Sequence, residues 1–470
     1  MTIASDDIWE AFLQFEDDAD VYDVRLRESP VWERIRVDVF HQIAVAYGEH
    51  ESTDSDTEGS SRWDKALHAG KAVLRGLGRH NPYLTGQHDL LVVGHQRRKQ
   101  FEDGYWWDIY TDPLYQALDL DVLHAEVEHK GGHKTPAKTS GVRYLEVIRY
   151  LGYLWKEIGV GVDEVGGEEL DEVRELERAV EAYFDVDVQI TDLVRSLFTV
   201  REPAITLYTA LLRRVDPSVV VVLVSYGREW FIEACKRYGV PVVELQHGVV
   251  HPHHFAYAFP GDRTKENFPD YLLTYGEFWN DVVEYPIPDE RVIPVGYPHL
   301  ERRAAQYENV ATKEQIVFIS EPRIGTALSR LAVRLSDLTE HDIVYKLHPN
   351  ETEQWRERYP WLTEANVTVV DSDQPPLYSI LAESSIQVGV GSTALYEGLM
   401  FGLETYIFDV SDTSSTDPLV EEGYASKISS AGEITPERQL DAEFEPHYFF
   451  RLGSIARIDE TLREIAETHR

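Results

Sequence analysis

Residues Val219-Val220-Val221-Val222-Leu223-Val224 form an unbroken apolar run, β-branched at every position but Leu223. Branching at Cβ favours a pleated strand, and the lack of polar alternation means that both faces are covered. A strand buried on both faces belongs to a parallel sheet flanked by helices, so this segment restricts the chain to an α/β architecture. The following sequence obeys that restriction. A helical pattern spans Glu229 to Tyr238, and Pro241-Val242-Val243-Glu244-Leu245 reads as the next strand. Tyr271-Leu272-Leu273-Thr274 and Arg291-Val292-Ile293-Pro294-Val295 continue the alternation. A second series opens at Ile316-Val317-Phe318-Ile319 and runs through Asp342 to Lys346, Val367 to Val370, Ser385 to Gly389 and Thr405 to Phe408. A last helix is expected from about Ile458 onward.

Upstream, Leu90 to Gly94 reads as a buried strand and Leu123 as part of another. Ile8, Phe12 and Phe15, then Val31, Ile35 and Val39, recur at helical spacing. The stretch Glu49 to Ser61 is polar throughout and reads as a loop, followed by a helix at Lys65 to Arg75. Longer helices are expected at Ser140 to Ile158 and Leu170 to Arg201. A chain of 470 residues exceeds one compact core. The two βα arrays, joined near residues 285 to 312, predict an α/β fold of two Rossmann-like domains facing a cleft, with a helical N-terminal extension. The expected division is 1–285 and 286–470, with ligands at the carboxyl ends of the strands.

Charge narrows the function. The chain has 83 acidic against 45 basic residues, a formal net charge of -38. Binding nucleic acid or an anionic membrane needs clustered Lys and Arg, so neither is expected as a partner. Acid recurs in dispersed clusters such as Glu16-Asp17-Asp18, Glu168-Glu169 and Glu421-Glu422, a halophilic pattern that suits solution in concentrated salt. Cys235 is the only cysteine, so no internal disulfide forms and a reducing cytoplasm fits. No signal-peptide pattern and no run of about 18 apolar residues occurs. The expectation is a cytoplasmic protein with at most peripheral contact at the inner membrane face.

Three motifs can carry chemistry. In Val388-Gly389-Val390-Gly391-Ser392-Thr393, with Glu397 one turn further, a strand ends in glycines and a helix opens. Free N–H groups there can hold a phosphate, and Glu397 can accept from ribose hydroxyls; Ser392 can equally be an ordinary N-cap. In Tyr345-Lys346-Leu347-His348-Pro349-Asn350, His348 can donate to a phosphate oxygen and Lys346 can add charge, or the imidazole can bond a local backbone group. In Glu244-Leu245-Gln246-His247-Gly248, followed by His251, His253 and His254, the histidines lack the spacing of a zinc site. No metal and no cofactor is expected; His247 reads as a base or phosphate ligand beside the cleft, with Gly248 relieving crowding. Arg323, in the turn Ser320 to Gly325, can approach donor phosphates. Ser225 to Glu229 can form an anion-binding turn, His95 to Lys99 is a local basic spot, and Tyr105 to Asp112 can stack on a sugar or simply pack. Gly296-Tyr297-Pro298 reads as structural.

The order His247-Gly248, Gly296-Tyr297-Pro298, Lys346-Leu347-His348-Pro349, then Gly391-Ser392-Thr393 with Tyr396-Glu397 resembles capsule-polysaccharide and teichoic-acid polymerising transferases. The His-Pro pair followed by Ser-Thr also resembles bacterial sialyltransferases. These families share the two-domain arrangement called GT-B, and the resemblance covers roughly residues 219 to 410. It implies a transferase moving a sugar (or polyol phosphate) from a nucleotide-activated donor to a glycan or lipid-linked acceptor. The donor would be held in the C-terminal domain by Lys346, His348, Gly391, Ser392, Thr393, Glu397 and Arg323, with catalytic His247 on the acceptor side. The sialyltransferase acidic pair is matched only by the short string Glu102-Asp103-Gly104, and Val390-Gly391-Ser392-Thr393 replaces the glycerophosphotransferase serine motif. The nucleotide therefore stays open, as does a nucleotide-sugar epimerase of the same fold or a non-catalytic assembly protein.

Overall fold

The computed structural model describes residues 8–47, 78, 80–129, 132–157, 165–261, 263–372, 374–410, 413–435 and 445–469. The expected loop at 49–61 and helix at 65–75 lie outside the described residues.

Seven parallel strands form the first sheet: β1 (Leu90–Val93), β2 (Val122–Glu126), β3 (Arg143–Tyr144), β4 (Val219–Val222), β5 (Val242–Leu245), β6 (Tyr271–Thr274) and β7 (Val292–Pro294). Their spatial order is β7-β6-β5-β4-β1-β2-β3. The valine run is β4, buried at every residue. Six parallel strands form the second sheet: β8 (Gln315–Ile319), β9 (Asp342–Lys346), β10 (Thr368–Val370), β11 (Ile386–Gly389), β12 (Glu404–Phe408) and β13 (Ser426–Ile428). Their order is β10-β9-β8-β11-β12-β13. Both sheets are doubly wound. The chain builds outward from a central strand, returns, and builds the other way, leaving a crevice between β1 and β4 in one sheet and between β8 and β11 in the other. The sequence pattern missed β3 and β13, short edge strands that are only partly buried.

The N-terminal extension is helical, as expected. Helices Ile8–Asp18 and Trp32–Ala46 bury Phe12, Ile35 and Val39 against Val173, Val180, Phe184 and Phe198. The single helix expected at 170–201 is instead Asp171–Phe184 and Ile190–Thr199, with a further helix at Arg201–Val215. Asp185 ends the first in the left-handed region at φ 55°. Apolar residues Val188 and Ile190 continue the helical spacing across the break, so periodicity alone could not reveal it.

A shared core sets how the sheets meet. Tyr275 and Tyr297, just past the carboxyl ends of β6 and β7, pack with Ile319 at the end of β8, Val370 at the end of β10, and Ala394 and Leu395. The carboxyl ends of both sheets therefore face one seam. The chain then recrosses it: Phe449 and Phe450 join the same core, and helix Ser454–Thr468 lies on the first sheet through Ile458, Leu462 and Ile465. At about 1.5–3 kcal/mol per fully buried aliphatic side chain, these contacts hold a helix that would be marginal alone. Gly296 permits the recrossing. Its φ is +96°, and a Cβ there would lie 2.0 Å from the Arg451 carbonyl oxygen. Against an expected division after residue 285, β7 is hydrogen-bonded to the first sheet and the final helix packs on that sheet.

Candidate active site at the first switch point

Three loops leave the carboxyl ends of β1, β4 and β5 and converge. After β1, Gly94 stands where a Cβ would lie 2.7 Å from the Asp108 carboxylate and nearer still to His124. The glycine lets Asp108 approach, and its carboxylate accepts from the backbone N–H of His95 (2.9 Å) and of Tyr110 (3.0 Å). After β4, the exposed Tyr226 precedes Gly227 and Arg228, which leads into helix Glu229–Tyr238. After β5, the buried Gln246 donates to the Gly248 carbonyl (2.8 Å) and accepts from the Tyr275 N–H (2.8 Å). That side chain locks the loop carrying His247.

His247 sits at the centre, its side chain 16% exposed. Its ring centroid is 6.0 Å from His95, 6.2 Å from Tyr226 and 6.3 Å from Tyr257. Tyr110 donates its hydroxyl to the His247 carbonyl at 2.6 Å. Burial first, then the charges of His95, His254, Arg97 and Arg228, depress the His247 imidazolium to about 3, so the ring is neutral at pH 7. Below it lies Glu244, wholly buried within β5, its Oε1 3.9 Å from His247 Nδ1. Burial pushes the Glu244 carboxyl up to about 7, against the lowering effect of Ser225 and Tyr257. His247 Nδ1 and Glu244 Oε2 are both buried without a hydrogen-bond partner. A neutral imidazole over a carboxyl titrating near neutrality can take a proton and have the resulting charge compensated. Gly248, however, relieves no crowding: a Cβ there would meet nothing within 4 Å.

The second switch point differs from the motif's promise. Ser392 does cap helix Thr393–Leu399, its hydroxyl accepting from the Ala394 N–H. The Gly391 N–H, expected to be free for a phosphate, donates to Glu321 Oε1 at 2.8 Å, and a Cβ on Gly391 would lie 2.8 Å from Ser415 Oγ. His348 makes the local bond: its Nδ1 accepts from the Asn350 N–H at 3.2 Å. Lys346 Nζ donates to the Ser372 carbonyl at 2.6 Å. The His348 and Ser392 loops leave the same sheet edge but are separated by β8, two interstrand spacings or about 10 Å apart. Arg323 is exposed on the turn after β8. Glu397 faces the seam. Burial raises its carboxyl above the usual range, against Lys99 of the first domain and a hydrogen bond from Tyr378.

The basic string at 95–99 is divided by the fold. His95 and Arg97 face the site, whereas Arg98 is buried 2.8 Å from Glu126. His133 bridges Glu126 (2.8 Å) and Glu146 (2.9 Å), and these carboxylates raise its imidazole to about 9 despite burial. A raised folded pKa stabilises fully below the unfolded value of about 6.5 and is lost as pH rises through about 9. His133→Gln is therefore expected to cost on the order of 3 kcal/mol at pH 6 and progressively less toward pH 9.5 in urea titrations. A parent-to-variant difference that stays constant with pH would contradict this account.

The sequence motifs assign no catalytic role to Glu244, Asp108 or Tyr110. The available signal was Glu244 itself, a carboxylate inside an otherwise apolar, doubly covered strand. Trp107 takes the packing role, buried with its indole N–H donating to Asp103. Among the described residues no group of three or more His, Cys, Asp or Glu side chains is arranged to hold a metal ion, and no helix is long and apolar enough to cross a membrane.

Neither a protein-family model nor a curated protein matches the sequence. Solved structures are similar at low identity. The UDP-GlcNAc 2-epimerase of Methanocaldococcus jannaschii shares 10% identity at a TM-score of 0.44, over 80% of this chain and 99% of that one. MurG of Acinetobacter baumannii gives the same figures, 10%, 0.44, 80% and 99%. The wall teichoic acid polymerase TagF shares 11% at a TM-score of 0.42, over 87% of this chain and 99% of that one. These are likenesses of fold alone.

Proposed function

We propose that this chain transfers a sugar (or polyol phosphate) from a nucleotide-activated donor, held by the second domain, to an acceptor hydroxyl brought to His247 by the first. The acceptor is a glycan or a lipid-linked glycan of a surface polysaccharide, and the acidic surface serves a salt-rich cytoplasm. One observation carries the reading: the carboxyl ends of two doubly wound sheets face one seam, with a neutral imidazole on one side and Glu397 on the other. Closing such a seam aligns two substrates and excludes water. Glu397 suits the ribose hydroxyls of the donor. Its diphosphate would take the Gly391 N–H from Glu321 and gain His348, Lys346 and the Ser392-Thr393 turn, with Arg323 on the turn between them.

Thermal shift with UDP, CMP, CDP and GDP in concentrated salt tests the donor site. One nucleotide is expected to stabilise the parent, and the His348→Ala/Ser392→Ala double variant is expected to lose that shift. Glu321→Gln is expected to enlarge it, because a competing negative charge leaves the turn. Equal nucleotide affinity in parent and double variant would move the donor site elsewhere. The adjacent acid and base, Glu244 and His247, also favour a second reading, a nucleotide-sugar epimerase. Incubation with donor alone separates the two, since only an epimerase converts it without acceptor.

A further inference from the structure

We propose that the loops at the first switch point form an oxyanion subsite, in which Arg97, Arg228 and the imidazoles of His95, His247 and His254 hold a phosphate group carried by the acceptor. The inference rests on the reading that His247 stands at the reacting centre, and it names the chemistry of what is brought there.

Charge pairing is the first argument. With 83 carboxylates against 45 Lys and Arg, a guanidinium on this chain readily finds a carboxylate. Arg25, Arg27, Arg34, Arg36, Arg98 and Arg201 all do so. Arg97 and Arg228 take part in none of the ion pairs among the described residues, although both lie close enough to depress the protonation of His247. Arg228 spends its Nε on the Val224 carbonyl at 2.9 Å, which fixes the guanidinium beside the loop. Two neighbouring guanidiniums that make no ion pair among the described residues at a sheet crevice, Arg228 feeling Glu244 and Glu229 only at a distance, are available to an anion from outside.

Hydrogen bonding is the second argument. His247 Nδ1 and His254 Nδ1 are buried without partners. Tyr226, 37% exposed, has its ring 6.2 Å from His247 and 6.1 Å from His254, so the two imidazoles share one opening. The ring of His251 lies 5.8 Å from His254. The space over Gly248 is open. Tautomeric imidazoles can turn an N–H toward a phosphoryl oxygen, and guanidiniums add paired donors. Three carboxylates bear on the same groups, and Glu229, which acts on Arg228, accepts from the Gly227 N–H at 3.0 Å. Asp108 is occupied by backbone N–H groups of His95 and Tyr110, and Glu244 is bonded by the Tyr257 hydroxyl. Burial keeps His254 neutral, and burial together with the surrounding cations keeps His247 neutral, a cost that a bound anion would relieve.

Calorimetric titration of the full chain with glycerol 3-phosphate, with glycerol as the uncharged control, tests the subsite. Binding of the phosphate but not of glycerol is expected, tighter at pH 6 than at pH 8 because Glu244 loses its charge through about 7. Arg97→Gln, an exposed position, is expected to weaken it about tenfold, and Arg97→Gln/Arg228→Gln about 100-fold. The nucleotide-induced thermal shift is expected to be the same in these variants as in the parent. Retention on phosphatidylcholine vesicles only when they contain phosphatidic acid would assign the phosphate to a lipid. Binding of glycerol 3-phosphate without vesicle retention would assign it to a glycan phosphate. If nucleotide binds normally but glycerol 3-phosphate does not, the subsite is wrong while the transferase reading stands. If the arginine variants lose the nucleotide shift as well, the oxyanion is the donor's own diphosphate and the proposal is overturned. Should no nucleotide bind while the phosphate does, the donor reading fails and the subsite remains.

Discussion

Substituting His247 with alanine is expected to slow transfer by about 100- to 10,000-fold at saturating substrates, with nucleotide affinity unchanged. The acceptor hydroxyl must lose its proton as the new bond forms, and His247 is the neutral imidazole at the seam. Burial, which lowers its pKa to about 3, keeps the ring unprotonated and its lone pair free across the physiological range. The difficulty is the charge it then carries among Arg97, Arg228, His95 and His254. Glu244, 3.9 Å away, answers that charge only when ionised. Since its carboxyl titrates near 7, kcat is expected to rise with pH through that value and then level. Glu244→Gln is expected to remove the acid limb and lower the plateau, while Glu244→Asp retains part of it. A variant at 247 that raises KM with kcat intact would show uniform binding by the imidazole rather than proton transfer.

Arg36→Met is expected to lower stability by about 3–5 kcal/mol, the range for removing one partner of a buried ion pair. Arg36 and Glu16 are both wholly buried, joined at 2.7 Å and 2.9 Å. Methionine fills similar space but takes away the two short bonds to the carboxylate, leaving it the hydroxyl of Tyr22, the indole of Trp32 and Arg263 at 3.5 Å. The loss reaches the loops of the candidate site. Arg36 also donates to the carbonyls of Phe255 (2.9 Å) and Ala258 (2.7 Å), on the loop that carries His254. Urea titration is expected to show the lower midpoint, and glycerol 3-phosphate affinity should fall with it. In the Glu16→Leu/Arg36→Met double variant most of the stability is expected to return, because no charge is left uncompensated, while the loop stays untethered. Single and double variants of equal stability would mean that the pair is not what holds the extension.

The parts of this protein that were legible early were those whose signal is local. β4 declared itself by valines without polar relief, and Tyr271–Thr274 and Asp342–Lys346 have the predicted boundaries. The break at Asp185 was hidden because apolar spacing ran through it. A histidine-glycine pair after a strand is the local signal that singles out His247. The signal at Ser392 is of the same local kind, and the amide beside it is filled from a residue 70 positions away.

Composition and periodicity by themselves determined two parallel arrays, a helical N-terminus and an acidic surface, because burial on both faces of a strand must be written in that strand's own residues. Which side chains share a site was decided only by the tertiary structure. His95, Tyr226 and His247 meet because β1, β4 and β5 are neighbours in the sheet, an adjacency set by winding order. Arg97 and Arg98 are adjacent in sequence but separate in role, one open to the crevice and one sealed against Glu126. The physical reason is that charge and hydrogen bonding act through a few ångströms of space, and the chain distances they span carry no local pattern.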